Sequence, residues 1–295
     1  MLATAALADA PFSDLDTLTE INTDDLLDAV GLARWGRTPL RQLFRPPARR
    51  FAHIAREFDA QVAARGLAQG SAWMLQRMTG GLDVRGAPQV PREGPLCVLA
   101  NHPGMTDTVA LIASLAARPD LRVIALDRPF LRALPAVARQ LIFVPEGDPA
   151  GRRAAVRASV RHLQQGGALL TFPAAGIEPD PAVHGAARAL AALDGWSGSF
   201  AVFARLVPQT VCLPALVSHV LDEHAQRHPL TRLRRRPQDR EKLAAALQVA
   251  LSRYHHGTVR VAFGAPQQLA GEEAGVEAAL QHALRRELAR LIEAA

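Results

Sequence analysis

Cysteine and lysine are almost missing from this 295-residue sequence, and each shortage excludes something. The two cysteines, Cys97 and Cys212, each lie in an apolar run. They read as buried free thiols, which leaves no disulfide framework and no cysteine zinc site and fits a reducing compartment. Aromatics are 5% of the chain against 49% hydrophobic residues, so the core must be built from Leu, Val and Ala. Lys242 is the single lysine among 34 basic residues. With abundant alanine this is a bias of composition, and it discounts the net charge of +6 as a sign of a nucleic-acid partner; none is expected. No apolar run approaches the roughly 18 residues of a membrane span. The opening segment lacks the positive charge of a signal peptide. No glycine-rich phosphate loop occurs, and His224, His228, His255 and His256 lack metal-ligand spacing, so no metal is expected. The expected place is cytoplasmic, peripheral on the inner face of the membrane.

What is present is unevenly distributed. Residues 1–30 carry seven acidic groups and no basic one, whereas residues 31–65 carry eight arginines against Glu57 and Asp59. The reversal means that the two segments meet different surroundings, or each other. The acidic segment reads as a loosely held tail with one short helix over Thr23–Val30. In the basic segment Pro46-Pro47 starts a helix, on which Phe51, Ile54, Phe58 and Val62 form one apolar stripe. Upstream, Trp35, Leu40, Leu43 and Phe44 alternate with Arg34, Arg37, Arg41 and Arg45. A further helix is expected over Ser71–Met78. A basic amphipathic stretch rich in Trp and Phe suits a membrane interface, and it equally suits a helical hairpin packed on the main domain. Residues 1–80 are accordingly expected to form an acidic tail and basic helical subdomain, and residues 81–295 an α/β domain.

From Leu82 short apolar runs alternate with helical patterns. Strands are expected at Leu82–Arg85, Leu96–Ala100, Leu121–Ala125, Gln140–Val144, Ala168–Phe172, Thr210–Leu216 and Thr258–Phe263. Helices are expected at Thr108–Ala117, Phe130–Arg139, Ala150–Gln164, Ser199–Leu206 and Asp239–Tyr254. A last helix after Gly271 buries Val276, Leu280, Leu284, Leu288 and Leu291. The alternation predicts an α/β fold: a mostly parallel or mixed sheet flanked by helices, with functional residues at the carboxyl ends of its strands.

The organising stretch is Leu96 to Leu111, LCVLANHPGMTDTVAL. An apolar strand runs into Asn-His-Pro-Gly, and a helix begins near Asp107. His102 and Asp107 at this junction suit a general base and its orienting carboxylate; taken alone, the stretch reads first as a turn whose Asp107 caps a helix. A second strand, Gly167 to Phe172, runs into a loop of the same construction, Pro173-Ala-Ala-Gly176-Ile-Glu178-Pro-Asp180. A third, Cys212-Leu-Pro214-Ala215, ends in an apolar–Pro–apolar turn.

These three stretches together resemble the glycerol-phosphate and lysophospholipid acyltransferase superfamily. Asn101 to Asp107 is similar to its His-x-x-x-x-Asp motif, Phe172-Pro173 through Gly176 to its Phe-Pro-Glu-Gly acceptor motif, Leu213-Pro214-Ala215 to its later apolar-Pro motif, and Ala262 to Pro266 to its closing strand. The likeness covers about Leu82 to Leu269. It implies His102 as general base and Asp107 as its partner, acting without an acyl-enzyme. It further implies substrate contacts at Asn101, Gly104, Phe172, Pro173, Gly176, Glu178, Pro214 and Arg153. Backbone amides near Gly104 or the next helix N-terminus would hold the oxyanion. No cofactor stays bound; acyl-CoA or acyl-carrier protein is the co-substrate. The acceptor is a lysolipid or another lipid hydroxyl or amine at an anionic membrane surface. The sequence departs from the pattern where the family has Glu-Gly-Thr-Arg-Ser: it has Ala174-Ala175-Gly176-Ile177-Glu178, with no arginine to grip a phosphate. Glu178, and more weakly Asp180, could serve instead. A thioester hydrolase and a non-catalytic lipid-surface protein on the same fold are the alternatives. Gly195-Trp-Ser-Gly-Ser199 lacks the order of a nucleophile elbow and reads as a turn capping a helix.

Overall fold

The computed structural model describes residues 14–35, 38–268 and 276–295. Arg37, Leu269, Gly271 and the side chains of Trp35 and Val276 lie outside this description.

The acidic and basic segments meet each other. Helix α1 (Leu15–Ala29) is a full element rather than a short helix in a loose tail. Asp14 caps it, accepting from the Thr17 amide at 2.8 Å. One face, with Leu18, Thr19, Asn22, Thr23 and Leu27, is buried. Helix α2 (Arg41–Arg65) lies alongside. Arg41 bonds Glu20 and Asp24, Arg45 lies 3.5 Å from Glu20, and Arg49 lies 3.1 Å from Asp16. Pro46 and Pro47 fall inside α2 rather than at its start. The turn before them is closed by the amides of Arg41, Gln42 and Leu43 bonding the carbonyls three residues back. Directly after them, buried Ala48, Phe51 and Ala52 offset the bonds that two prolines remove. Gly66, at φ +85°, turns the chain into α3 (Leu67–Met78) in a backbone region that side chains disfavour.

The strands are β1 (Gly81–Arg85), β2 (Leu96–Ala100), β3 (Arg122–Leu126), β4 (Leu141–Val144), β5 (Ala168–Thr171), β6 (Val211–Ser218), β7 (Thr258–Phe263) and β8 (Gln267–Gln268). Between them run helices α4 (Met105–Ser114), α5 (Pro129–Arg132), α6 (Pro135–Ala138), α7 (Pro149–Gln164), α8 (Pro181–His184), α9 (Ala186–Ala192), α10 (Ser199–Leu206), α11 (Glu223–Gln226) and α12 (Pro237–Ala250), and α13 (Val276–Glu293) follows the last strand. The helix expected over Phe130–Arg139 is split into α5 and α6, because Pro135 disfavours helical backbone at Leu134. The expected Asp239–Tyr254 helix begins earlier, at Pro237, and ends at Ala250, leaving a separate 3₁₀ turn at Ser252–Tyr254.

The strands form one sheet in the order β1-β7-β6-β2-β5-β3-β4, with β8 also on β6. The five strands from β6 to β4 are mutually parallel; β7 and β8 run against β6, and β1 is parallel to β7. The sheet is therefore mixed, flanked by helices, with a helical N-terminal layer. Every residue of β2 is buried, as a central strand covered on both faces requires. Its alternate residues separate into two cores. Leu96, Val98 and Ala100 join Leu18, Phe51, Phe58 and Met78, whereas Cys97 and Leu99 join Leu163, Phe200, Phe203, Leu280 and Leu284. Cys97 faces Cys212 across the β2–β6 pair; both are free thiols, and burial pushes Cys212 up to about 12.

Among the described residues the largest fully buried side chain is Arg118, where α4 returns to β3. It donates twice to Asp120, at 2.9 and 2.7 Å, and to the carbonyls of Pro91 at 3.2 Å and Gly166 at 2.9 Å. A planar fork meets all three partners at once, and an ammonium cannot. Arg118→Lys should therefore destabilise the fold by about 3 kcal/mol, read as a lower urea midpoint.

Candidate active site

Parallel pairing brings the carboxyl ends of β2, β5 and β6 to one edge of the sheet. Beyond β2 the ladder is continued by a side chain. The Val217 amide donates to Asn101 Oδ1 at 2.7 Å, and Asn101 Nδ2 donates to the Val217 carbonyl at 2.9 Å. The backbone is thus fixed at the point where His102 leaves the sheet. The loop after β5 closes on the same point. The His102 amide donates to Glu178 Oε2 at 2.9 Å, and the Glu178 amide donates back to the His102 carbonyl at 2.8 Å. Trp196 Nε1 donates to Glu178 Oε1 at 2.6 Å, and the Ser197 amide to the Pro173 carbonyl at 3.0 Å. Asp180 makes the matching link to β6, accepting from the Val220 amide at 2.9 Å and from the Ala182 amide at 3.0 Å.

His102 Nδ1 lies 2.8 Å from Asp107 Oδ2. Asp107 is wholly buried, while 27% of the His102 side chain remains exposed. The same Oδ2 accepts from the Gly104 amide at 2.8 Å, and Oδ1 accepts from the Thr108 hydroxyl at 2.9 Å. Asp107 is therefore both the first-turn acid of α4 and the anchor of the imidazole. The helix-capping contact and the His102–Asp107 contact are one arrangement. With Nδ1–H donating to the carboxylate, Nε2 carries the lone pair, as a general base requires. The Phe172 ring packs at 4.6 Å from the imidazole, tilted by 34°.

Burial pulls the His102 pKa down, but Asp107, by charge and by hydrogen bond, and then Glu178 outweigh it, so the net shift is upward. Burial raises Glu178, opposed by its bonds from Trp196 and the His102 amide. Asp180 is also raised by burial.

A cleft of about 340 Å³ opens beside Pro103 and Gly104, between α1, α2 and α12. Leu26, Phe51, Ile177, Leu221, Ala245 and Val249 give it apolar walls, and Asp25, Asp28, Glu241 and Lys242 bring charge to it. Asp25 is raised, first by burial and then by Asp24 and Asp28.

Seven of the residues singled out in the sequence gather at this edge: Asn101, His102, Gly104, Asp107, Phe172, Pro173 and Glu178. The Gly104 amide is engaged by Asp107, so it is not a free oxyanion donor. Gly176 is exposed, and the left-handed residue of its turn is Ala175, at φ 55°. Pro214 is buried within β6 opposite Leu99, below the strand end. Its carbonyl accepts from Gly264 at 2.9 Å, so its ring nitrogen faces the gap between β7 and β8, where no ladder donor is needed. Arg153 is exposed in the second turn of α7 and does not line the cleft. Sequence reasoning missed Trp196 as a partner of Glu178. It lies 18 residues away in a segment read as a turn, and no local spacing signals the contact.

No family model matches the chain, and neither does any curated protein. Among solved structures, the crystal structure of the 1-acyl-sn-glycerophosphate acyltransferase PlsC from Thermotoga maritima aligns over 95% of this chain and 97% of that one, at 17% identity and a TM-score of 0.49.

A raised imidazole is a measurable property of the folded chain. The His102 ring should titrate above the ordinary 6.5 in an NMR pH titration. Asp107→Asn removes the main raising cause and leaves burial, so the midpoint should drop below 6.5. Glu178→Gln should lower it by a smaller amount. Unchanged midpoints in both variants would show that neither carboxylate sets the imidazole.

Proposed function

We propose that the protein is an acyltransferase that moves a fatty acyl group from an acyl thioester, acyl-CoA or acyl-carrier protein, to a hydroxyl or amine of a lipid acceptor. The observation that carries this is the partly exposed imidazole held by a fully buried carboxylate at the shared end of three parallel strands, beside an apolar-walled cleft. His102 Nε2 takes the proton of the acceptor as it attacks the thioester carbonyl. Asp107 keeps the tautomer and balances the imidazolium that forms. When the tetrahedral adduct collapses, the thiolate leaves and takes up a proton, which His102 can return. The Asp107 amide bonds the Gly104 carbonyl at 3.2 Å, so within the first turn of α4 the amides of Met105 and Thr106 are the ones suited to the developing oxyanion.

Glu178 acts in this proposal by holding the acceptor loop on His102 rather than by replacing the acid missing at Ala174, since both its oxygens are occupied by the enzyme's own donors. The apolar cleft takes the acyl chain. No helix among the described residues is long and apolar enough to cross a membrane. Phe51 and Phe58 are buried in the core and so give no lipid-inserting face. Contact with an anionic membrane falls to exposed Leu43, Leu230 and Leu233, beside the arginines at 232, 235 and 236.

Purified protein incubated with acyl-CoA and a mixed lysolipid and amine extract should form acylated lipid, detected by mass spectrometry. His102→Ala should lower turnover by roughly a hundred- to ten-thousand-fold with the fold intact. Normal transfer by the folded variant would remove the mechanism, and release of free fatty acid without acylated product would make the protein a thioester hydrolase.

A further inference from the structure

A second and larger concavity, about 810 Å³, lies between α2, α3 and the turn after α12. Its lining is basic: Arg49, Arg50 and His53 from α2, Arg77 from α3, and His255 beyond α12, with Glu57 the lone acid among the described residues. Gln76 and Ser252 add neutral hydrogen-bonding groups. Arg49 is engaged by Asp16 at 3.1 Å. Among the described residues, Arg50 and Arg77 have no carboxylate within ion-pair distance. Arg77 is nevertheless held in place, its guanidinium 4.3 Å from the Trp73 ring centroid. His255 is likewise fixed, its Nε2 2.6 Å from the Gln248 carbonyl. Two guanidinium groups without a carboxylate partner in one groove are unlike the arginines at the start of α2, which α1 neutralises.

Planar forks beside imidazole and hydroxyl groups match the oxygens of a phosphate better than a lone carboxylate. The loop after β5 has no arginine, so a phosphate on either substrate needs a cationic site elsewhere. Val249 lines both this groove and the cleft beside Pro103, which makes the two neighbours across one wall.

We propose that the groove formed by Arg50, Arg77, His53 and His255 binds a phosphate-bearing ligand, as a diphosphate or phosphomonoester group. The choice of sources rests on the acyltransferase reading: the phosphates are those of a nucleotide-type thioester donor or those of a phospholipid headgroup. The binding itself does not depend on that reading.

The test is direct titration of the full chain with inorganic pyrophosphate, with coenzyme A, and with vesicles of phosphatidic acid against phosphatidylcholine. Tryptophan fluorescence follows binding, because Trp73 lies beneath Arg77. Saturable pyrophosphate binding that weakens with salt is expected, and Arg50→Gln and Arg77→Gln should each weaken it by about tenfold or more. Arg157→Gln, an exposed charge on α7, should leave it unchanged, and all three variants should keep the thermal midpoint. Competition by coenzyme A would identify the soluble donor as the source. Competition by phosphatidic acid vesicles alone would identify the headgroup. Absence of pyrophosphate binding, or equal binding by wild type and both groove variants, would overturn the proposal. Acyl transfer is assayed separately: transfer with no phosphate binding sinks the groove and spares the proposed function, while phosphate binding without transfer does the reverse.

Discussion

The mutual bonding of His102 and Glu178 is the constraint on which the site depends. Each amide donates to the other residue, one to a side-chain oxygen and one to a carbonyl, so neither loop can move without exposing a buried polar group. Leaving such a group unmatched costs about 1–3 kcal/mol, comparable with the strain of a turn such as that at Ala175. The clasp therefore holds an otherwise irregular, proline-rich loop against the end of β2. Trp196 and Asp180 extend it to the next helix and to β6. Three strand ends are joined through two carboxylates, and the imidazole is aimed from that joint.

This explains why Glu178 and Asp107 are not interchangeable although both stand near His102. Asp107 meets the ring nitrogen and sets the tautomer; Glu178 meets the backbone and sets the position. Both raise the imidazole against the opposing effect of burial. A base raised in this way is stronger when neutral but is neutral over less of the acidic range. The contribution of the His102–Asp107 interaction to stability runs the same way: it is fully present below the unfolded histidine value and is lost as pH rises through the higher folded one.

Much of this could be read from the residues. Leu96–Ala100 has five apolar residues without alternation, and only a strand covered on both faces uses such a run; the Asn-His-Pro-Gly turn after it then had to lie at the sheet edge. The spacing of His102 and Asp107 was legible because one helical turn separates the cap from the third residue of α4. Trp196, the Asn101–Val217 link and the closure by Asp180 were not, since each joins residues far apart in sequence and depends on strand order. The N-terminal stretch stayed open between a membrane interface and a packed hairpin for a related reason. An amphipathic stripe fixes which face of α2 is apolar but not what covers it, and Phe51 and Phe58 are covered by this chain's own core.

The pairing of α1 with α2 has a consequence for where charge is left over. Glu20, Asp24 and Asp16 take up Arg41, Arg45 and Arg49, so the acidic segment neutralises the first turns of α2 in order. Beyond Arg49 no residue of α1 remains to pair with the next basic residues, because α1 and α2 run antiparallel and Asp14 already caps the near end. Arg50 is the first arginine past that limit, and Arg77 joins it from α3. Helix α2, which with α1 closes one side of the cleft beside Gly104, thus turns Arg50 toward the groove on the other side of Val249, where α3 adds Arg77. One packing arrangement produces both a cleft with apolar walls and acidic groups at Asp25 and Asp28 and a groove in which Arg49 is paired while Arg50 and Arg77 are not.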